Sequence, residues 1–497
     1  MDLLSEAPSS KILWTIISCA IAYCWLKIVY DLHFHPLSKF PGLKLAAIGS
    51  FLEFYYDVIK DGTYLWEIEK MHQKYGPIIR INSRELHIRD SSFYSSIYAG
   101  IGRRVNKDPH QVRGLQVDKS TIATADHDLH RLRRGILAPH FAKRSIVAIE
   151  PMINERIDRL CERLAGASES KEIVDLDSAY AALTTDVVDQ YFYGENFDCL
   201  GNKNFKFEIR DAILGLIRCY NLTRFFPSFV AAFKSLPIPI VRLIHSGAAD
   251  LLVSDETMKA KLLQYQALQS KNEIVSPGNP GLCIIQSLLA PEVPAQEKTI
   301  DQLMDETKTI IFGGTESTAR ALSVTTFHLL NNKSLLKKLR EELRTLGPVQ
   351  DYTIVQLEAL SYLTGVVNEG IRLTHGPCNR LLRCAQEPLQ YKEFTIPPGT
   401  PVSQVQYFVH MDPAIFPNPH TFDPERWIKA ANEALLKEVD NVLLLKIYLT
   451  LAKVVQRFDI ELFETTEKDV DVYHIRLTNF PKDSNGEIKV KINNRQL

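Results

Sequence analysis

The sequence predicts a mainly α-helical protein with small β-sheets at its periphery (α+β), and three observations lead to that class. Apolar residues recur at three- and four-residue spacing from about residue 120 to 345, with clear helical periods at 301–346 and 353–373. Alternating patterns, typical of strands, are short and lie at 77–90, 395–410 and in the tail. Apolar residues make up 45% of the chain and charged residues 24%, which is ordinary for a globular protein with a large core.

Each strand-like segment has a specific expected structure. Residues 77–90 read as a hairpin of two short strands, and 395–410 as strands and turns. The tail sequences DVYHIRLTNF and GEIKVKI are expected to pair as a terminal hairpin around KDSNG. Breaks typical of linkers fall at 271–281 and 289–298, and neither is long enough to require two folding units.

Net charge and cysteine spacing exclude several classes of function. The 497 residues carry a net charge of −1, which gives no bulk electrostatic case for binding nucleic acid. The eight cysteines show neither paired nor metal-type spacing, so neither a disulfide framework nor a zinc site is predicted. Reduced and mostly buried thiols are the expected state.

The N-terminus has the pattern of a membrane anchor. Residues 12–26 contain no charged side chain, and the apolar run continues past Lys27. A cleaved signal peptide fits less well, because the run extends beyond its small residues. We expect an anchor at 1–32, a proline-punctuated hinge at 33–45, and the bulk of the chain on the cytosolic side of the lipid bilayer. The apolar stretch 224–244 leaves two interpretations open: core helices broken by prolines, or a surface element that dips into the bilayer.

The sequence FGGTESTAR lies in the middle of a predicted helix of about nine turns. Each of its glycines, Gly313 and Gly314, costs about 1 kcal/mol in a helix interior relative to alanine. Their presence suggests a helix bulged against a flat ligand, with the hydroxyls of Ser317 and Thr318 bonded back to freed carbonyls. The carboxylate of Glu316 beside an alcohol can relay protons into a dry pocket. The simpler interpretation is a notch for helix packing.

Two further motifs place charged groups together. Glu369 and Arg372 share one helix face at a spacing of three, a common and weakly informative pair. The sequence FDPERW about fifty residues later offers Arg426 as a third partner, and two guanidiniums around one carboxylate could lock a helix to a meander. His130 and Arg134 lie one turn apart in HDLHRLRR, where they could hold acidic groups of a buried cofactor or form part of a solvated charge run.

These motifs, in this order, resemble the haem-thiolate monooxygenases of the cytochrome P450 family, in particular its microsomal, fungal type. The resemblance implies a haem domain at 46–497 with the glycine-bearing helix across the distal face of the haem. It implies that Glu316 is the acid, and that Ser317 stands where a threonine usually helps protonate bound dioxygen. It also implies the remaining site residues, as follows: Gly313, Gly314 and Thr318 in the helix signature, His130 and Arg134 facing the haem propionates, and Glu369, Arg372 and Arg426 as the structural triad.

The chain departs from that family where the iron ligand is expected. The family has a glycine-rich loop with a cysteine after the PERW-type segment, but no cysteine follows Cys384 here. Residues 447–464 resemble the later part of the next helix and the following strand, whereas 439–446 read as unrelated filler. A deletion near 437–447 is therefore predicted, and without a thiolate the oxidising chemistry of the family is not expected.

Two functional hypotheses follow. By resemblance, the chain is a single-pass monooxygenase of the endoplasmic reticulum membrane. It would hydroxylate or epoxidise an apolar small molecule, a terpenoid or polyketide of fungal secondary metabolism, with electrons from an NADPH-dependent flavoprotein reductase. The alternative is a non-catalytic, membrane-tethered relic or mis-spliced isoform that binds ligand or partners without oxygen chemistry.

Overall fold

The fold was taken from a computed structural model, which describes residues 8–98, 103–195, 197–270, 283–432 and 442–495. The predicted break at 271–281 therefore lies outside the described residues. The α-helices, in chain order, are α1 (Pro8–Val29), α2 (Lys44–Ala47), α3 (Phe51–Phe54), α4 (Tyr64–Tyr75), α5 (Tyr94–Ile97), α6 (Pro109–Arg113), α7 (His127–Leu137), α8 (Lys143–Ala148), α9 (Glu150–Ser170), α10 (Leu176–Tyr193), α11 (Glu208–Phe225), α12 (Pro227–Lys234), α13 (Ile238–Ile244), α14 (Ser246–Ser270), α15 (Ile284–Leu289), α16 (Ile300–Asn331), α17 (Lys333–Leu343), α18 (Ile354–Glu358), α19 (Ser361–Thr374), α20 (Gln406–His410), α21 (Glu425–Asn432) and α22 (Val442–Arg457).

The strands are few and short, as the sequence predicts. They are β1 (Ile78–Arg80), β2 (Leu86–Ile88), β3 (Val105–Lys107), β4 (Val174–Asp175), β5 (Arg383–Ala385), β6 (Leu389–Tyr391), β7 (Phe394–Ile396), β8 (Pro401–Ser403), β9 (Phe458–Leu462), β10 (His474–Ile475), β11 (Asn479–Phe480) and β12 (Lys489–Asn494). Helix dominates, so the predicted fold class of helices with small sheets is confirmed.

The contacts divide the chain into two compact units. The first comprises residues 1–108 and 380–405, and the second 109–379 and 406–497. In the first unit a five-stranded sheet has the order β1-β2-β8-β5-β3, beside the hairpin β6-β7. The predicted hairpin at 77–90 is confirmed, because β1 and β2 pair antiparallel with Ile79 opposite His87. The unit also holds a buried charge cluster in which Arg380 pairs with Glu53 and Asp57.

The second unit is a helical bundle that carries all the candidate site residues. Helix α16 packs against α10, α14, α19 and α22, and a continuous apolar core joins them. The sheet β4-β12-β9 closes the bundle beside α9. Burial of these apolar faces removes large areas from water, which is the dominant stabilising term in such a core.

Two strand predictions near the C-terminus were wrong in detail. The segment DVYHIRLTNF folds back on itself, since β10 pairs with β11, and the terminal β12 pairs with β9 and β4 instead. Residues 406–410 form the short helix α20 where strand and turn were expected. An alternating apolar pattern does not specify which strand lies alongside, so it did not identify the partner of the terminal strand.

Residues 224–244 form a surface element, so the interpretation as core helices was wrong. Helix α12 has no buried residue, and Val241 is the buried residue of α13. Phe229, Leu243 and Ile244 are 67%, 89% and 63% exposed. Large apolar side chains exposed together on adjacent helices are unusual for a surface that faces only water.

One described helix is long and apolar enough to cross a membrane. It spans Ile12–Phe34 and its apolar window is not buried inside the protein. This agrees with the predicted anchor, although the helical conformation continues through a π-helical turn to Phe34, beyond the expected end at residue 32.

Candidate functional site

Helix α16 carries the central motif and runs unbroken from Ile300 to Asn331. Its N-terminus is capped by Thr299, whose side chain accepts a hydrogen bond from the backbone N–H of Gln302. The predicted bulge at the paired glycines is absent, because this helix retains one continuous α-helical path. The carbonyl of Thr315 nevertheless accepts a bond from Thr184 of α10 at 3.2 Å, so a neighbouring hydroxyl does reach the backbone of the motif.

The hydroxyls of the motif bond back to the preceding turn. Ser317 Oγ donates to the Gly313 carbonyl at 2.6 Å, and Thr318 Oγ1 donates to the Gly314 carbonyl at 3.1 Å. This satisfies both hydroxyls within the helix and leaves the helix geometry intact. Ser317 lines a cleft, whereas Thr318 is wholly buried.

The two glycines face different surroundings, which gives a direct test of their roles. A Cβ on Gly314 would lie 2.7 Å from Val188 Cγ2 of α10, whereas a Cβ on Gly313 would meet no atom within 4 Å. We expect Gly313→Ala to stabilise the fold by about 1 kcal/mol through helix propensity. Gly314→Ala should destabilise it by about 1–3 kcal/mol, because β-branched Val188 cannot move aside within a helix.

Urea unfolding of the two glycine variants beside the parent chain measures both changes. A shift in the same direction for both variants would contradict the assignment of Gly314 to close helix packing and of Gly313 to open space.

Glu316 is not a free acid in this structure. Its carboxylate accepts from Arg210 Nε of α11 at 2.9 Å, and the same guanidinium donates to Asp177 at 2.5 Å and to Ser178 at 3.1 Å. Burial raises the pKa of Glu316, with Arg210 opposing that effect. Burial also opposes ionisation of Asp177, but Arg210 and Arg320 hold its pKa below the usual range. The guanidinium therefore favours a charged Asp177 and leaves Glu316 the easier of the two to protonate.

A cleft of about 390 Å³ opens beside Glu316 and Ser317. Its walls combine apolar side chains of α11 and the β10–β11 region with the buried ion network. The apolar contributors are Phe205, Phe207, Leu214, Pro377, Phe480 and Pro481. A pocket of this size suits a small molecule, and its lining combines apolar and charged side chains.

The second predicted group of charges lies together around Glu369. This carboxylate is fully buried and accepts from Arg372 at 2.8 and 2.9 Å and from Arg426 at 3.0 Å. Trp427 Nε1 and the backbone N–H of Asp423 also donate to it, at 2.8 and 3.0 Å. Burial opposes ionisation, but Arg372 keeps the pKa of Glu369 below its usual value. The network ties α19 to α21 and the loop before it.

The predicted cofactor-facing residues of α7 are placed differently from one another. His130 is half-buried and Arg134 is exposed, while Arg133 is the guanidinium that enters the protein and pairs with Glu297 at 2.7 Å. Positions 130, 133 and 137 share the face of α7 that is buried or half-buried. Arg134, four residues after His130, lies outside that face and is exposed.

Sequence reasoning missed three residues of this region. Arg210 becomes the partner of Glu316, and Asp177 the second partner of Arg210, only through the fold, and no local pattern points to either pairing. Lys446 was passed over as filler, but Val442 to Lys446 belong to α22, and Lys446 is 2% exposed. A lysine flanked by apolar residues on both sides was the signal that could have identified it.

Three features of the structure define its class: a long helix with a polar motif over a cleft, a buried glutamate held by two arginines, and an N-terminal apolar helix. Together they define a haem-thiolate monooxygenase scaffold. The chain belongs to the cytochrome P450 family: the family model matches residues 41–442. It is 48% identical to the cytochrome P450 monooxygenase astB of Aspergillus terreus, over 94% of each chain. It is 45% identical to the monooxygenase TRI4 of Trichoderma arundinaceum over 99% of each, and 41% identical to the conidiogenone synthase PchP450 of Penicillium rubens over 94% and 96%.

The alignment with TRI4 contains positions that no residue of this chain fills. The alignment spans 515 positions, whereas the chain has 497 residues, so at least 18 aligned positions have no residue of this chain. The family match ends at Val442, the first residue of α22.

The donor groups of the described residues do not fit a thiolate-ligated haem. Enzymes of this family bind iron through a deprotonated cysteine. Burial raises the pKa of the Cys378 thiol to about 12 and that of the Cys384 thiol to about 11, and both residues precede the PERW-type segment after which the family's ligand is expected. No cysteine follows them in the sequence. His474 lies in β10 with its ring Nε2 3.3 Å from the Lys482 carbonyl, at the protein surface.

Proposed function

We propose that the chain derives from a membrane-anchored monooxygenase that oxidises an apolar small molecule of fungal secondary metabolism. The relatives that share its whole length are fungal monooxygenases, and one is named for the synthesis of conidiogenone. The cleft beside Glu316 and Ser317 supports a small-molecule substrate, with the roles assigned to those residues, to Thr318 and to the Glu369 triad carried over from the family. A hydroxylated or epoxidised terpenoid or polyketide is the expected class of product.

The proposed setting is the cytosolic face of the endoplasmic reticulum membrane. The helix Ile12–Phe34 supports a single anchor, and the exposed apolar side chains of α12 and α13 support a second contact with lipid. An NADPH-dependent flavoprotein reductase at the same membrane would supply electrons, as in the family. Haem remains the family cofactor.

We infer further that the 497-residue polypeptide itself does not perform this oxidation. One observation carries the inference: no cysteine follows Cys384, so α22 and the segment before it offer the iron no thiolate. The alignment with TRI4 leaves at least 18 positions without a residue of this chain, and we infer that the missing segment falls between α21 and α22, a region that includes residues outside the described ranges. This favours the second candidate, a mis-spliced isoform or relic that binds ligand without oxygen chemistry.

Two measurements separate these cases. Sequencing the transcript across the codons for residues 437–448 should show a longer message with a cysteine loop if the short chain is an isoform. If the message encodes the short chain alone, the purified protein is reduced and exposed to carbon monoxide, and we expect no thiolate-type Soret band. Such a band from this exact polypeptide would refute the inference that it lacks the ligand.

A further inference from the structure

Lys446 is a lysine in the interior of the helical bundle. It lies on α22 between Leu445 and Ile447 and is 2% exposed. Its Nζ donates to the carbonyl oxygen of Gly314 on α16 at 2.7 Å. The same carbonyl accepts from Thr318 Oγ1 at 3.1 Å. This amine therefore ties α22 to the turn of α16 that presents Glu316 and Ser317 to the cleft.

The amine has no acidic partner among the described residues. Six acidic groups on the helices packed against α22 have other partners. Four of them pair with cations: Asp158 with Lys453 and Arg457, Glu358 with Lys143, Glu369 with Arg372, and Glu316 with Arg210. The other two, Glu150 and Glu342, accept hydrogen bonds from backbone N–H groups of α18 and α19. On β9, Asp459 pairs with Arg340. Burial alone lowers the pKa of Lys446 to about 7.

Thr450, one turn further along the same face of α22, offers no compensation. It is fully buried, and its Oγ1 makes no hydrogen bond with any residue of the described ranges. An ammonium group has three N–H donors, and here one acceptor is in place. Charging the amine would thus bury a cation with two unsatisfied donors, which is far more costly than burying the neutral amine.

We propose that Lys446 is a protonation-dependent positioning residue: its neutral amine holds α22 on the Gly314 carbonyl, and its protonation loosens that contact together with the turn of α16 that carries Glu316 and Ser317. The device needs neither haem nor substrate, so it stands or falls independently of the function proposed above. It makes the order of the cleft wall depend on pH in the neutral range.

The direction of the effect follows from linkage. A free lysine has a pKa of 10.5 and the folded one about 7. Between these values the unfolded chain binds one more proton than the folded chain, so stability rises with pH. The unfolding equilibrium constant should fall about tenfold per pH unit across this window on account of Lys446, and that slope should vanish below pH 7.

Lys453 supplies a matched control on the same helix. It is 1% exposed, like Lys446, but its Nζ lies 3.1 Å from the Asp158 carboxylate. The full chain in detergent, Lys446→Met and Lys453→Met are unfolded in urea at pH 7, 8 and 9. We expect Lys446→Met to be more stable than the parent at pH 7. Its unfolding equilibrium constant should lack the fall of about tenfold per pH unit that Lys446 contributes in the parent. Lys453→Met should retain the parent slope. An unchanged slope in Lys446→Met, or its loss in Lys453→Met, would overturn the proposal.

Hydrogen exchange tests the positioning part separately. After correction for intrinsic exchange rates, peptides covering 313–318 should exchange faster at pH 6 than at pH 8.5 in the parent chain. The difference should disappear in Lys446→Met and persist in Lys453→Met. Equal exchange in the parent and Lys446→Met at both pH values would show that the amine does not order this turn, whatever its effect on stability.

Discussion

Replacing Glu369 with alanine is expected to lower the free energy of unfolding by about 3–5 kcal/mol. The carboxylate is fully buried and accepts hydrogen bonds from Arg372, Arg426 and Trp427. Its removal leaves a wholly buried guanidinium on Arg372 without a counter-charge, and an uncompensated buried charge is among the costliest changes in a protein interior. Urea unfolding of the full chain at pH 7 measures the loss.

A surface ion pair provides the control for the Glu369 variant. Glu341 lies 3.8 Å from Lys337 on α17, and both side chains are more than half exposed. Glu341→Ala should change stability by less than about 0.5 kcal/mol, as solvated pairs do. Because the pKa of Glu369 is held low, its contribution is present above pH 4.5 and is lost as pH falls through the lowered value. A loss of under 1 kcal/mol in Glu369→Ala would contradict the network as a lock between α19 and α21.

Replacing Arg210 with methionine is expected to destabilise the fold by about 3 kcal/mol or more at pH 8. Arg210 is the shared partner of Asp177 and Glu316, and methionine keeps much of its length while removing the charge. Two buried carboxylates then lose the guanidinium that bonds to both, and only the charge of Arg320 still acts on them. Both should take up protons more readily in the folded state, since like charges and burial disfavour ionisation.

The pH dependence of the Arg210 variant identifies the cause of its instability. Raising the folded pKa of Asp177 and Glu316 above their unfolded values makes the folded state bind more protons, so the variant should recover stability as pH falls from 8 to 5.5. Arg218→Met is the control, because Arg218 lines the same cleft but is exposed and bonds to the neutral Asn485. Equal losses at pH 5.5 and 8 would mean that packing, and not charge, explains the effect of Arg210→Met.

Much of the fold could be predicted because its signals are local. The helical periods at 301–346 and 353–373 correspond to α16, α17, α18 and α19, and the alternation at 77–90 to the hairpin of β1 and β2. The grouping of Glu369, Arg372 and Arg426 was also within reach, since two of them share one helical turn and the third lies in a recognisable motif. Strand partners at the C-terminus were not, because an alternating segment can pair with any neighbour of matching register.

The site was predicted less completely, and for a physical reason. Arg210 and Glu316 are 106 residues apart in the chain, and nothing in the local period of α11 or α16 encodes that pairing. On α7 the structure places Arg133 in the interior and leaves Arg134 exposed, and the assignment of His130 and Arg134 to a cofactor stays a prediction. A helix period fixes which residues share a face, whereas the neighbours of the helix decide which face is buried.

The sequence by itself determined the helical class, the family motifs in their order and the lack of any cysteine after Cys384, because all three are properties of the covalent chain. The tertiary structure alone decided that Glu316 is held by Arg210, that Gly314 rather than Gly313 is pressed against α10, and that Lys446 lies buried against the carbonyl of Gly314. Burial and long-range contact set the ionisation of these groups, and both exist only once distant segments are packed together.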